Sequence, residues 1–168
     1  GVCVIDADEM AHEVTSPGSI GLQKVSEEFG DHILTEEGSL NRKKLGEIVF
    51  GDKEALSRLN AIVHPLVIDK MTKMLRQFDY CHRALAGDEY GYEAPCVVLD
   101  VPLLFEAGME NLCDELWVVA VDEDTQIKRL IERDGYSVDE AIRRVKAQMP
   151  LEEKVRRAHK VVDNTGTI

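Results

Sequence analysis

Gly1-Val2-Cys3-Val4-Ile5-Asp6-Ala7-Asp8 is the stretch on which the fold turns. Val2 to Ile5 is a short, continuous apolar run rich in β-branched residues, and it ends abruptly on acids. A strand that alternated apolar with polar residues would have one wet face. A continuous run predicts a strand buried on both faces, as in a parallel sheet. Two further runs have the same form, Cys96 to Leu99 ending on Asp100 and Leu116 to Val121 ending on Asp122, and Val161-Val162 is a weaker fourth. Helical periodicity fills the intervals, so the expected class is α/β with helices packed on a parallel sheet.

Between the first two runs lie roughly 90 residues, too many for one crossover. Leu45-Ile48-Val49, Leu56-Leu59-Ile62-Val63 and Leu66-Val67 through Met71-Met74-Leu75 place apolar residues at helical spacing. Asp52 is placed to cap a helix beginning near Lys53, and Pro65 suits the first turn of a new helix. Phe78 to Pro95 lacks periodicity and reads as an exposed loop. After the third run, Thr125 to Asp134 reads as a helix with Arg129 and Arg133 one turn apart. Ser137-Val138-Asp139-Glu140 has the form of a capping box. The next helix carries Arg143 and Arg144 and stops at Met149-Pro150, and Leu151 to His159 starts another.

The 168 residues suffice for one domain with a sizeable core and room for a small insertion, and 44% hydrophobic with 31% charged residues is ordinary for a globular chain. No run approaches the roughly 18 apolar residues of a membrane span. A net charge of −12 argues against nucleic-acid binding, which needs a basic face. Half of the 20 Lys and Arg nevertheless lie between Gln126 and Lys160, a local concentration suited to an anionic ligand if it is not simply a solvated helix face. The four cysteines form no CxxC pair, so they suggest neither zinc nor a dithiol redox site, and free thiols fit a reducing cytoplasm.

Acids at strand ends are where ligands bind in open α/β sheets. Asp6 and Asp8, two apart, would point the same way along an extended backbone, one accepting a hydroxyl proton and the other holding a metal or an orienting hydrogen bond. The competing reading is a helix cap with a first-turn charge. Asp122, before Glu123-Asp124-Thr125, reads as such a cap. Cys96-Val97-Val98-Leu99-Asp100 has the apolar-strand-then-Asp form of a Walker B element, in which Asp100 would hold Mg²⁺. The apolar Leu103-Leu104-Phe105 could line a pocket or simply pack. Arg129, Arg133 and Arg144 carry the planar fork that suits phosphate oxygens.

Taken in order, Val4-Ile5-Asp6-Ala7-Asp8, the Phe29-Gly30 to Asn41-Arg42-Lys43 region, Leu59-Asn60-Ala61-Ile62-Val63-His64-Pro65-Leu66, Asp100-Val101-Pro102-Leu103-Leu104-Phe105-Glu106, Thr125-Gln126-Ile127-Lys128-Arg129, Arg144-Val145-Lys146-Ala147-Gln148-Met149-Pro150 and Asp163-Asn164-Thr165-Gly166 resemble the dephospho-CoA kinase family. The resemblance covers essentially the whole chain. It implies a P-loop-type, three-layer α/β/α core with a parallel sheet, formed by residues 1–13 and 94–168 and including a lid at about 126–150. It also implies a helical insertion at 14–93 that receives dephospho-CoA.

By the same resemblance, Asp8 is the base at the ribose 3′-hydroxyl and Arg129 reaches ATP phosphates. Asp6, His64, Leu103, Leu104, Phe105 and Glu106 contact the acceptor, and Arg133, Arg144 and Asn164 lie on the ATP side. Mg²⁺ accompanies ATP, and the enzyme is a cytoplasmic monomer or weak homo-oligomer that binds neither nucleic acid nor membrane. The family's Gly-rich GxxGxGK[ST] loop has no counterpart in these residues. The resemblance places it, with its strand and helix, ahead of Gly1 and a last helix after Ile168, and without that loop the chain is expected to be inactive. His12 stands where the family often has Arg. Another small-molecule kinase, or a non-catalytic module binding CoA or a nucleotide, are the alternatives.

Overall fold

The computed structural model describes residues 2–86 and 96–166, with side chains described for 2–79 and 96–166. By contact the chain divides into two compact units, Gly1–Gly46 with Ser57–Pro102, and Glu47–Leu56 with Leu103–Ile168.

The first unit holds β1 (Cys3–Asp6) and β2 (Val97–Asp100), which pair in parallel with Ile5 opposite Leu99 and Asp6 opposite Asp100. The helices α1 (Ala7–Val14) and α2 (Ile20–Phe29) follow β1 directly. A Cβ on Gly21 would come within 2.0 Å of the Val14 carbonyl oxygen, so only glycine lets α2 approach the end of α1 this closely. Ser19 caps α2 by accepting from the Leu22 N–H, while its own hydroxyl donates to Val14 O at 2.8 Å. The core gathers Ile5, Met10, Leu22, Val25, Ile33, Leu45, Val67 and Met71.

α3 (Arg42–Val49) and α4 (Lys53–Ala86) complete the helical part. Asp52 caps α4 as expected, accepting from the N–H groups of Glu54 and Ala55. Pro65 does not start a helix; it lies inside α4. It removes one intrahelical bond at a cost of about 3 kcal/mol. Beyond it, Val67 and Met71 are buried in the core, which offsets that loss and keeps the helix continuous. The expected loop from Phe78 is likewise helix as far as Ala86, since extending a formed helix costs little. Residues 87–95 of that expectation lie outside the described residues.

The second unit holds β3 (Trp117–Ala120) and β4 (Lys160–Asp163), again parallel, with α5 (Glu123–Asp134), α6 (Val138–Lys146) and α7 (Leu151–Arg157) between them. Asp122 caps α5 through the Thr125 N–H at 2.8 Å, and Gly135 ends it in the left-handed region. Ser137 caps α6, but the reciprocal half of the capping box is missing because Glu140 pairs with Arg144 instead.

The strands are parallel as predicted, but they are not buried on both faces. Val98 is 45% and Trp117 60% exposed, and Val4, Val119 and Val161 are exposed too. Each described sheet has two strands; Val4 and Val98, and Trp117 and Val119, lie on the faces opposite buried Ile5 and Val118, while all of β4 is exposed. Among the described residues Cys3, Cys96 and Cys113 are free thiols. No described helix is long and apolar enough to cross a membrane.

Candidate active site

In the first unit the acids gather at the carboxyl ends of the strands. Asp6 and Asp100 are register partners, so their backbones lie side by side across the parallel pair. Asp6 is also the cap of α1: its Oδ1 accepts from the N–H groups of Asp8 at 2.8 Å and Glu9 at 3.1 Å. The cap reading therefore holds for Asp6. The extended-strand argument for Asp8 does not, because β1 ends at Asp6 and Asp8 is the second residue of a helix. Asp8 lies exposed in the first turn, adjacent to the Asp6 carboxylate that binds its own N–H. His64, half-buried on α4, belongs to the same unit.

No group of three or more His, Cys, Asp or Glu able to hold a metal exists among the described residues. That does not disqualify the strand ends for Mg²⁺, which takes one or two carboxylates together with phosphate oxygens and water rather than an all-protein cage. The hard oxygen donors of Asp6 and Asp100 match that requirement.

In the second unit, Leu103 to Gly108 form a single tight turn that follows the end of β2. It is closed by Ala107 N–H to Leu103 O at 2.9 Å, Gly108 N–H to Phe105 O at 3.2 Å and Met109 N–H to Leu104 O at 3.0 Å. The last two bonds are the Schellman pattern, and Gly108 supplies the positive φ of 65° that it needs. Phe105 is buried. Glu106 does not project freely. Its Oε1 accepts from the Met149 N–H at 2.8 Å and the Lys154 ammonium at 2.9 Å.

The predicted arginines fall into different environments. Arg129, on α5, donates to the Gly166 carbonyl oxygen at 3.1 Å. Arg133 is exposed and makes a bidentate pair with Asp134, holding that carboxyl below its usual range. Arg144 is stacked between the rings of Phe50 at 4.2 Å and Tyr136 at 4.0 Å and paired with Glu140 at 2.9 Å. Its Nε is buried without a hydrogen-bond partner. Arg143, one residue earlier, is exposed. Asn164 is exposed and extends the strand ladder, its N–H donating to Ala120 O at 2.8 Å.

Sequence reasoning missed Phe50, Tyr136, Lys154, Arg157 and Glu110. All five bear on the conformation of predicted site residues. Tyr136, beside the helix-ending Gly135, had a local signal; the others become neighbours only through contacts of high sequence separation.

Carboxylates at the ends of parallel strands, with arginine-bearing helices following a strand, are the equipment of a phosphotransferase built on the α/β kinase plan. The comparisons narrow that class. The sequence matches the dephospho-CoA kinase family over residues 1–168. A dephospho-CoA kinase of Carboxydothermus hydrogenoformans is 48% identical over 168 residues, spanning 100% of this chain and 76% of the relative. Another, of Shouchella clausii, is 42% identical over 167 residues, spanning 99% of this chain and 79% of the relative.

Among solved structures, a protein of Thermus thermophilus superposes with a TM-score of 0.67 at 33% identity, covering 99% of this chain and 78% of its own. A dephospho-CoA kinase from Campylobacter jejuni gives 0.61 at 29% identity, with the same coverage of 99% and 78%. The chain belongs to the dephospho-CoA kinase family.

Proposed function

We propose that this protein transfers the γ-phosphoryl group of ATP to the ribose 3′-hydroxyl of dephospho-CoA, the last step in making coenzyme A. The observation that carries the reading is the family match along the whole of residues 1–168, which takes in every motif at which the acids and arginines stand.

In this reading Asp8 accepts the proton of the 3′-hydroxyl as its oxygen attacks phosphorus. Its place in the first turn of α1 leaves that carboxylate exposed and within reach of a ligand. Asp6, fixed by two backbone N–H groups, orders the turn on which Asp8 stands. Mg²⁺, bound by Asp100 and phosphate oxygens, would neutralise charge on the transferring group. Arg129, Arg133, Arg144 and Asn164 act on the ATP side. His64 and Leu103 to Glu106 contact the acceptor, with residues 14–93 forming its helical receptor and about 126–150 the lid. The enzyme acts in the cytoplasm, as a monomer or weak homo-oligomer.

The test is a panel of phosphoryl acceptors given to the intact gene product with ATP and Mg²⁺. Dephospho-CoA should be converted to coenzyme A at least about 10³-fold more efficiently than nucleosides or sugar acids, a ratio within reach of a site that hydrogen-bonds its acceptor. Comparable kcat/KM across the panel would sink the assignment.

A further inference from the structure

We propose that Lys154 and Arg157 of α7 are positioning residues that fix the Leu103–Glu106 turn and so set the affinity of the kinase for its phosphoryl acceptor. The inference deepens the function proposed above and rests on its reading of Leu103 to Glu106 as an acceptor contact.

Three residues apart on α7, Lys154 and Arg157 project from one face of the helix. Both reach the same short segment. Lys154 is only 12% exposed and pairs at 2.9 Å with Glu106, itself 17% exposed. Arg157 stacks its guanidinium 4.9 Å from the centre of the Phe105 ring and also pairs with Glu110, just beyond the turn. The same Oε1 of Glu106 accepts from the Met149 N–H, so the α6–α7 connection is tied to the turn as well.

A single hydrogen-bonded turn is not self-supporting, because one turn fixes several dihedral angles for few bonds. Leu103 to Gly108 therefore needs external anchors, and α7 supplies them at three successive points: Phe105, Glu106 and Glu110. A segment held in its binding conformation loses less conformational freedom when the ligand arrives, which appears directly as affinity. Removing Lys154 would also strand a mostly buried carboxylate whose Oε2 already lacks a hydrogen-bond partner.

Arg144, on the ATP side of the proposed reaction, does not depend on this clamp. Phe50, Tyr136 and Glu140 hold it separately. Loss of the clamp should therefore raise the KM for the acceptor and spare that for ATP. A merely structural defect would not split the two.

The test is steady-state kinetics of the intact gene product with both substrates varied. Lys154→Met should raise the KM for dephospho-CoA about tenfold, equivalent to ~1.4 kcal/mol, with the KM for ATP within about twofold of the parent. Lys154→Arg should recover most of the loss. Arg156→Ala, which removes the exposed neighbour paired with Glu153, should change neither constant. Arg157→Gln is read by the same criterion and decides the matter alone if Lys154→Met does not fold. Leu104→Ala separates the two layers of argument. If it raises the acceptor KM while Lys154→Met and Arg157→Gln leave it within about twofold, the acceptor site stands and the clamp is overturned. If none of the three moves it, both fall.

Discussion

The two strand pairs carry opposite halves of the charge chemistry, and they hold them differently. At the end of β1 and β2 stand the carboxylates of Asp6, Asp8 and Asp100, and Asp6 is bound to neutral backbone N–H groups. Around β3 and β4 most cations are already matched: Arg133 with Asp134, Arg144 with Glu140, Lys154 with Glu106 and Arg157 with Glu110. A cation whose charge is cancelled by a carboxylate has less to offer a phosphate. Arg129 differs, because its partner in the structure is the neutral carbonyl of Gly166. The net charge of −12 thus conceals a division between acids at the end of one strand pair and a concentration of cations around the other.

The sharpest way to break this comparison is Asp8→Asn. If the acidic end supplies the base, turnover should fall by about 10²–10⁴-fold, while ATP affinity measured by calorimetry stays within about twofold. Undiminished turnover would remove Asp8 from the reaction. Arg129→Ala is expected to lower kcat by about 10²-fold, the scale of losing one charge-stabilising donor, whereas Arg143→Ala, on the exposed side of α6, should be silent. Equal losses from the two arginines would show that the neutral partner of Arg129 does not distinguish it.

The smallest effect concerns the cap of α5. The Thr125 N–H, and then its hydroxyl, hold the Asp122 carboxyl below its usual range. A carboxyl depressed in the folded state contributes stability above its unfolded value, about 3.9, and loses it as pH falls through the lower folded value. The unfolding temperature should therefore decline below about pH 4. Asp122→Asn, which can still cap, should flatten part of that decline; an unchanged slope would place the acid sensitivity elsewhere.

Features written within a few residues of one another were legible in the sequence. Asp52, Asp122 and Ser137 cap the helices expected of them, because a cap needs only a short polar side chain and the following N–H groups. The four strands were found by their apolar runs and are parallel. What local reading could not supply depends on distant partners. Pro65 looked like a helix start, and only the burial of Val67 and Met71 shows why the helix passes through it. Glu106, read as an acceptor contact, carried no local sign that its carboxylate also bonds the Met149 N–H and Lys154, more than forty positions away. No spacing rule joins such residues. Asp8 shows a third kind of miss: both of its readings were available, and extending the strand by two residues gave it the wrong geometry.

Asp6 ends β1 and caps α1 with no connecting residue between them. Sheet and helix are therefore geared together. One residue inserted after Asp6 would turn every later side chain of α1 by about 100° around the helix axis, swinging the Asp8 carboxylate off its bearing while leaving its chemistry intact. The aim of that carboxylate is a matter of chain length counted from the last strand residue.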